Sequence, residues 1–110
     1  MGTFAEASRN QMLDAWAGRT TFTANTAVFV KLHIGDPGAA GASNAAAETT
    51  RKQVTFGSAA ATGAISNTAA VEWTAVSTTE TYSHVSFWTA SSAGTFLGSD
   101  DLSSSAAVTA

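Results

Sequence analysis

The sequence AVFVKLHIGDPG, at residues 27–38, contains a complete strand signal followed by a turn signal. Side chains alternate along it with a period of two residues, which is typical of a half-buried β-strand. One face is predicted to carry Val28, Val30, Leu32 and Ile34, and the other face Phe29, Lys31 and His33. The strand is predicted to end at residues 35–38, because Pro37 fixes its own φ and lacks an amide donor, and the flanking glycines allow unusual dihedral angles.

Strand signals recur along the rest of the chain, separated by stretches rich in Gly, Ser, Thr and Ala. The further predicted strand segments are Arg51–Phe56, Ile65–Val76, Thr81–Thr89, Thr95–Leu97 and Leu102–Ala110. Residues 39–50 show no periodicity and are predicted to form an exposed loop. The whole pattern predicts a mainly β fold, an antiparallel β-sandwich or barrel-like domain, with one N-terminal α-helix.

Residues 1–18 are predicted to form the N-terminal helix or docking arm, and residues 19–110 the β-sandwich part of a single domain. Thr3 and Glu6 have the spacing of a capping box, and Gly18 suits the left-handed position after a helix. The apolar stripe of this helix consists of Met12, Leu13 and Trp16. A short helix with one such stripe has to dock, either on its own sheet or on a neighbouring molecule.

Charge and composition narrow the classes of partner. The net charge is -3 and only 12% of the residues are charged, so no basic surface is available for nucleic acid or for an anionic membrane. Small residues (Ala, Ser, Thr and Gly) fill more than half of the 110 positions, and small side chains bury little apolar area each. We therefore expect a marginally stable single copy that gains burial by self-association, although a monomer with a compact Ala-rich core is the alternative.

The residues needed for catalysis or metal binding are scarce. Cysteine is absent, and the two histidines, His33 and His84, lie in predicted strands without the ligand spacing of a zinc site. No Gly-x-Ser-x-Gly motif is present, and Asp100 and Asp101 would point to opposite faces of a strand. The sequence predicts a non-catalytic protein with no cofactor and no metal ion, in which both histidines are structural.

One predicted strand carries a row of aromatic and imidazole side chains. Along residues 81–89, Tyr82, His84 and Trp88 share the face opposite Val85 and Phe87. If this face points outward, the row is a candidate protein-binding patch. The alternative is a central strand that is buried on both faces.

Four segments resemble a widespread family of small tailed-phage virion proteins that is common in phages of actinobacteria. They are LHIGDPG at residues 32–38, RKQVTFG at 51–57, SNTAAV at 66–71 and SHVSFW at 83–88. Members carry similar segments in the same order and are described as head-decoration, minor tail or tail-fibre-like proteins. Two departures are Ser86, where members have Gly or another small residue, and the lack of a last amphipathic strand after Ala110. Either the chain is trimmed or a partner supplies the final strand.

The resemblance implies a virion protein made in the host cytoplasm, which binds copies of itself, as a homotrimer or another homo-oligomer, and phage capsid or tail proteins. Capsid decoration is the favoured role, because 110 residues without coiled-coil heptads cannot build a fibre alone. The alternative is a minor tail or tail-fibre-type protein. A host glycan is a further candidate partner, with Trp73 or Trp88 as the platform on which a sugar ring stacks.

Overall fold

The computed structural model describes residues 3–58 and 62–110, so Met1 and Gly2 of the predicted N-terminal segment lie outside the described residues. Its elements are β1 (Thr3–Phe4), α1 (Glu6–Trp16), β2 (Val28–His33), β3 (Lys52–Val54), β4 (Glu80–Trp88) and β5 (Phe96–Val108). The five strands form one antiparallel sheet in the order β1-β5-β4-β2-β3. The predicted fold class, mainly β and antiparallel with one N-terminal helix, is confirmed.

Strand β2 lies at the centre of the apolar core. Val30 is opposite Phe87 and Leu32 is opposite Val85 in the pairing with β4, so the apolar face predicted from the alternation is the face that packs. The buried apolar cluster consists of Val30, Leu32, Ala46, Val54, Tyr82 and Val85. Ile34 was predicted to belong to the same face, but the strand ends at His33 and Ile34 is 48% exposed.

The last two predicted strands are one continuous strand. β5 runs from Phe96 to Val108, and its pairing with β4 shifts register near Ser83 and again between Phe87 and Trp88. These shifts explain why the sequence pattern predicted separate strands. An extra residue in one strand of a pair interrupts the alternation of side chains between the two faces. The predicted hairpin turn before β5 is confirmed, with the amide of Thr89 donating to the carbonyl oxygen of Thr95 at 3.1 Å.

The prediction of a strand within Ile65–Val76 is wrong, because the described residues there form no ladder beyond an isolated bridge between Phe56 and Asn67. The segment instead lies against the core as a loop. Trp73 packs on the buried cluster and its indole N–H donates to the carbonyl oxygen of Thr50 at 2.7 Å. Apolar residues at strand spacing were therefore a correct signal for burial but not for strand pairing.

The segment after β2 is a loop, as predicted for residues 39–50, and most of its residues are exposed, but it also packs on the sheet. Pro37, Gly41 and Ala46 are buried, and the amide of Ala46 donates to the carbonyl oxygen of Leu32 at 3.3 Å. Gly41 has φ +72°, and a Cβ placed on it would lie 2.5 Å from the ring of Phe96. Glycine and alanine therefore let this segment approach the sheet closely.

Helix α1 has a different start from the predicted one. Its N-cap is Ala5, which makes no side-chain capping hydrogen bond, and Thr3 lies in β1 opposite Ser99. The capping-box prediction is wrong because the backbone of Thr3 belongs to the sheet. The C-terminal prediction is confirmed: Gly18 has φ +75° and follows the C-cap residue, Ala17.

Candidate functional site

Two features of the molecule are candidates for function, a buried polar network on the sheet and an exposed apolar surface beside α1. The network is centred on His33, the last residue of β2, which is 0% exposed. Its Nδ1 lies 2.9 Å from the carbonyl oxygen of Ser43, and its Nε2 lies 2.7 Å from Oγ of Ser86 on β4. A carbonyl oxygen only accepts, so Nδ1 carries the proton and Nε2 accepts a hydrogen bond from the hydroxyl of Ser86.

The network continues from Ser86 to the aromatic side chains at the end of β4. The indole N–H of Trp88 donates to Oγ of Ser86 at 2.7 Å, and its ring is tilted against Phe96 with centroids 5.4 Å apart. The guanidinium of Arg51 lies 4.2 Å from the centre of the Trp88 ring. The same guanidinium donates to the carbonyl oxygens of Ala90 and Ala93 at 2.9 and 2.7 Å. Arg51 thus joins the indole to the turn before β5.

The pair of Ser86 and His33 has the distance of an activated serine nucleophile, but its surroundings do not suit catalysis. Both residues are 0% exposed, so a substrate has no approach to Oγ. The group that accepts the hydrogen bond from Nδ1–H is a backbone carbonyl and not a carboxylate, and the indole N–H of Trp88 already donates to the hydroxyl oxygen. Burial lowers the pKa of His33 and keeps the ring neutral in the folded protein. The geometry is that of a satisfied structural network.

His84 lies beside His33 in the pairing of β2 with β4 and is partly exposed. Its Nδ1 is 2.8 Å from Oγ of Ser83. The ring borders a polar depression of about 190 Å³ together with Asp36, Asp100 and Asp101. Within residues 3–58 and 62–110, no three His, Cys, Asp or Glu side chains are grouped so that they could hold a metal ion.

The exposed apolar surface lies between α1 and the sheet. It contains a groove of about 490 Å³, open to solvent, that is lined by α1, by β1, β2, β4 and β5, and by the connecting segments. The apolar side chains that line the groove are Phe4, Met12, Phe22, Val28, Phe56, Ile65, Phe87 and Leu97. Helix α1 contributes Met12 to the groove, and on the same helix Leu13 and Trp16 are 61% and 87% exposed. We call the groove together with Leu13 and Trp16 the helix-groove surface.

The six residues predicted as interface candidates have different environments. Met12 lines the groove, and Leu13 and Trp16 project from the same helix. Trp88 and His84 are half-buried, and the face of the Trp88 ring is occupied by Arg51.

Tyr82 is the exception among these candidates, because it lies in the core with 3% exposed. Burial, with the nearby carboxylates of Glu80 and Glu48, raises the pKa of its hydroxyl. The predicted row of Tyr82, His84 and Trp88 is therefore not an outward-facing patch.

The sequence did not identify four residues of the groove. Phe4, Phe22, Phe56 and Ile65 are 39–61% exposed and come from four separate segments. No periodicity links them, because the groove exists only when β1, α1 and the two loop segments are brought together. The one available signal was large apolar side chains isolated among Thr, Ala and Ser residues.

The indole platforms suggested for sugar stacking are already engaged within the chain. The N–H of Trp73 is bonded to Thr50 and its ring packs on the core, while Arg51 and Phe96 contact the ring of Trp88. No helix in the described residues has the length and hydrophobicity needed to cross a membrane.

Comparison with known proteins connects this chain to bacteriophages. The model of the family described as Podophage GP4 fiber I protein gp80 matches residues 3–110. The comparison with curated proteins gives no match to the chain. The family supports the predicted phage virion role and favours the fibre alternative, whereas capsid decoration and the actinobacteriophage-type assignment receive no support. Since the match covers almost the whole sequence, the chain belongs to the podophage fibre protein family gp80.

Proposed function

We propose that this protein is a non-catalytic structural component of the tail fibre of a podophage, held in the virion by contacts with copies of itself and with other tail proteins. The observation that carries the proposal is the family match over residues 3–110. The proposal replaces capsid decoration, the favoured role from sequence, with its fibre alternative.

The arrangement of polar and apolar groups supports a role in assembly. The serine and histidine that lie at hydrogen-bond distance, Ser86 and His33, are both fully buried and serve to tie β2 to β4. In contrast, seven of the large apolar side chains exposed to solvent belong to the helix-groove surface. A protein that buries its reactive groups and exposes apolar ones is suited to binding other proteins.

Glycan binding through Trp73 or Trp88 is not part of this proposal. A stacking platform needs an open ring face, whereas Arg51 lies over one face of the Trp88 ring and Phe96 packs at a tilt against it. The ring of Trp73 packs on the core.

Immunogold labelling of intact particles tests the location directly. Antibodies against the purified protein should place gold at the tail, and particles that lack the protein should keep stable heads but lose adsorption to host cells. Particles in which His84 is replaced by Ala should adsorb as the parent does. Gold over the head, or heads that become unstable without the protein, would contradict the fibre role.

A further inference from the structure

We propose that the helix-groove surface is where two copies of this chain bind each other, with Leu13 and Trp16 of one copy inserted in the groove of another. The inference deepens the proposed fibre function, and it rests on that function only in assuming that copies of the chain assemble. It names the surface and the occupant, a second copy.

Helix α1 lacks the burial that normally keeps so short a helix folded. It has 11 residues and none of them is buried. Isolated helices shorter than about 12–15 residues are marginal in water, and most helical stability in proteins comes from packing an apolar face. The described attachments are few: the amide of Ala5 donates to the carbonyl oxygen of Leu97, and the Arg9 guanidinium donates to the carbonyl oxygen of Phe4. Within residues 3–58 and 62–110, these contacts leave the large apolar side chains of α1 exposed.

The projecting and concave parts of the surface lie on the same chain. Leu13 and Trp16 are three residues apart, so they are neighbours on one side of the helix and project together. The groove volume of about 490 Å³ is within the range of about 300–1,000 Å³ that holds a drug-sized molecule, so an indole and a Leu side chain fit. Because one chain carries both parts, a second copy is sufficient to complete the contact.

The exposed area agrees with that of a stable interface between copies. The contributing residues are Phe4, Met12, Leu13, Trp16, Phe22, Phe56 and Ile65. With about 200 Å² for each large side chain, their exposed fractions correspond to about 800 Å². A specific interface of standard size buries roughly 800 Å² on each partner.

Charge and composition also suit a copy of the same chain. The surface is rich in aromatic residues, with Met12 and Arg9 beside them, which is the composition of interface centres. Glu6 lies at one end of α1, and Arg19, just beyond the other end, is 3.5 Å from Asp14. Neither sign of charge dominates the helix, so the helices of two copies can approach each other without strong electrostatic repulsion.

Sedimentation equilibrium of the full chain and matched variants tests the proposal. The parent should self-associate, and Trp16→Ala should raise the dissociation constant by about tenfold or more. Ile65→Asp, which places a charge in the groove, should have the same effect. Ile34→Asp is the matched control, because Ile34 is exposed to a similar extent but lies outside the surface. A parent that stays monomeric, or variants that associate as the parent does, would overturn the proposal.

Because the chain has no cysteine, single introduced cysteines can identify the contact. A mixture of the Leu13→Cys and Ile65→Cys proteins should form an intermolecular disulfide on oxidation, whereas Leu13→Cys with Ile34→Cys should not. Equal yields in the two mixtures would contradict the assignment of the groove. Circular dichroism of each variant shows whether the fold is kept, and the cross-link remains decisive if Trp16→Ala does not fold. A monomer whose antibody labels the tail would overturn this interface alone, whereas gold over the head would overturn the fibre role alone.

Discussion

The centre of the sheet and the N-terminal helix bury their side chains to opposite extents. On β2 and β4, His33 and Ser86 are 0% exposed and every nitrogen or hydroxyl of the pair has a partner within 2.9 Å. On α1 no residue is buried, and Trp16, its largest side chain, is 87% exposed. The His33–Ser86 pair satisfies its polar groups internally, whereas α1 leaves its apolar groups to solvent.

This difference indicates which part of the molecule holds the fold and which part is available for assembly. Removing one partner from a buried network leaves other groups unsatisfied, at a cost of about 1–3 kcal/mol for each group. Removing an exposed side chain from α1 has no such cost. Substitutions in the two regions should therefore separate folding from association.

The largest loss of stability is expected from His33→Ala. The change leaves the carbonyl of Ser43 and the hydroxyl of Ser86 without their partner and opens a cavity, so the free energy of unfolding should fall by about 3 kcal/mol. Urea unfolding followed by circular dichroism measures it. The control is His84→Ala, the same change in the adjacent, partly exposed histidine, which should cost much less. Equal losses in the two variants would show that the network does not hold the sheet.

The next largest loss is expected from Gly41→Ala. The new methyl group would overlap the ring of Phe96, and the positive φ adds strain, so we expect a loss of about 2 kcal/mol. Gly63→Ala is the matched control, because Gly63 has φ +77° with nothing within 4 Å of the added atom. Its loss, from backbone strain alone, should be about 1 kcal/mol. If the two variants unfold at the same denaturant concentration, the close packing of residue 41 on β5 is not real.

A smaller loss is expected from Arg51→Lys. An ammonium group keeps the charge but loses the planar stacking on Trp88 and the two donors to Ala90 and Ala93, so stability should fall by about 1 kcal/mol. Indole fluorescence during thermal unfolding reports the change close to the site. Arg19→Lys, at an exposed ion pair with Asp14, should change the midpoint little. If Arg51→Lys also left the unfolding midpoint almost unchanged, the contact between Arg51 and the Trp88 ring would contribute nothing to stability.

The smallest effect is expected from pH. Burial lowers the pKa of His33 in the folded protein from the ordinary 6.5, so below that pH the unfolded chain binds a proton that the folded chain does not. Stability should be constant above about pH 6.5 and decrease as the pH falls through that value. Unfolding midpoints between about pH 7.5 and 5.5 would show this. The decrease should disappear in His33→Ala and persist in His84→Ala; a decrease that survives the loss of His33 has another source.

The accuracy of the sequence-based predictions varied with the range of the interactions involved. The alternation in residues 28–33 located the core face of β2, and Gly18 located the end of α1, because both signals come from local backbone geometry. The strand predicted within Ile65–Val76 failed because the same apolar spacing is satisfied by a loop that packs on the core. Sequence left open whether Tyr82 faced outward or was buried, because its burial depends on a register shift that leaves no local signal.

The sequence alone determined the strand alternation, the end of β2 ahead of Pro37 and the lack of thiols and metal-ligand spacing, since each of these depends on residue type and on neighbours along the chain. The tertiary structure decided that Ser86 meets His33, from which it is separated by 53 residues, and that separate apolar residues form one groove beside α1. The physical reason is that strand pairing and register bring distant residues together. No spacing within a single segment encodes such contacts.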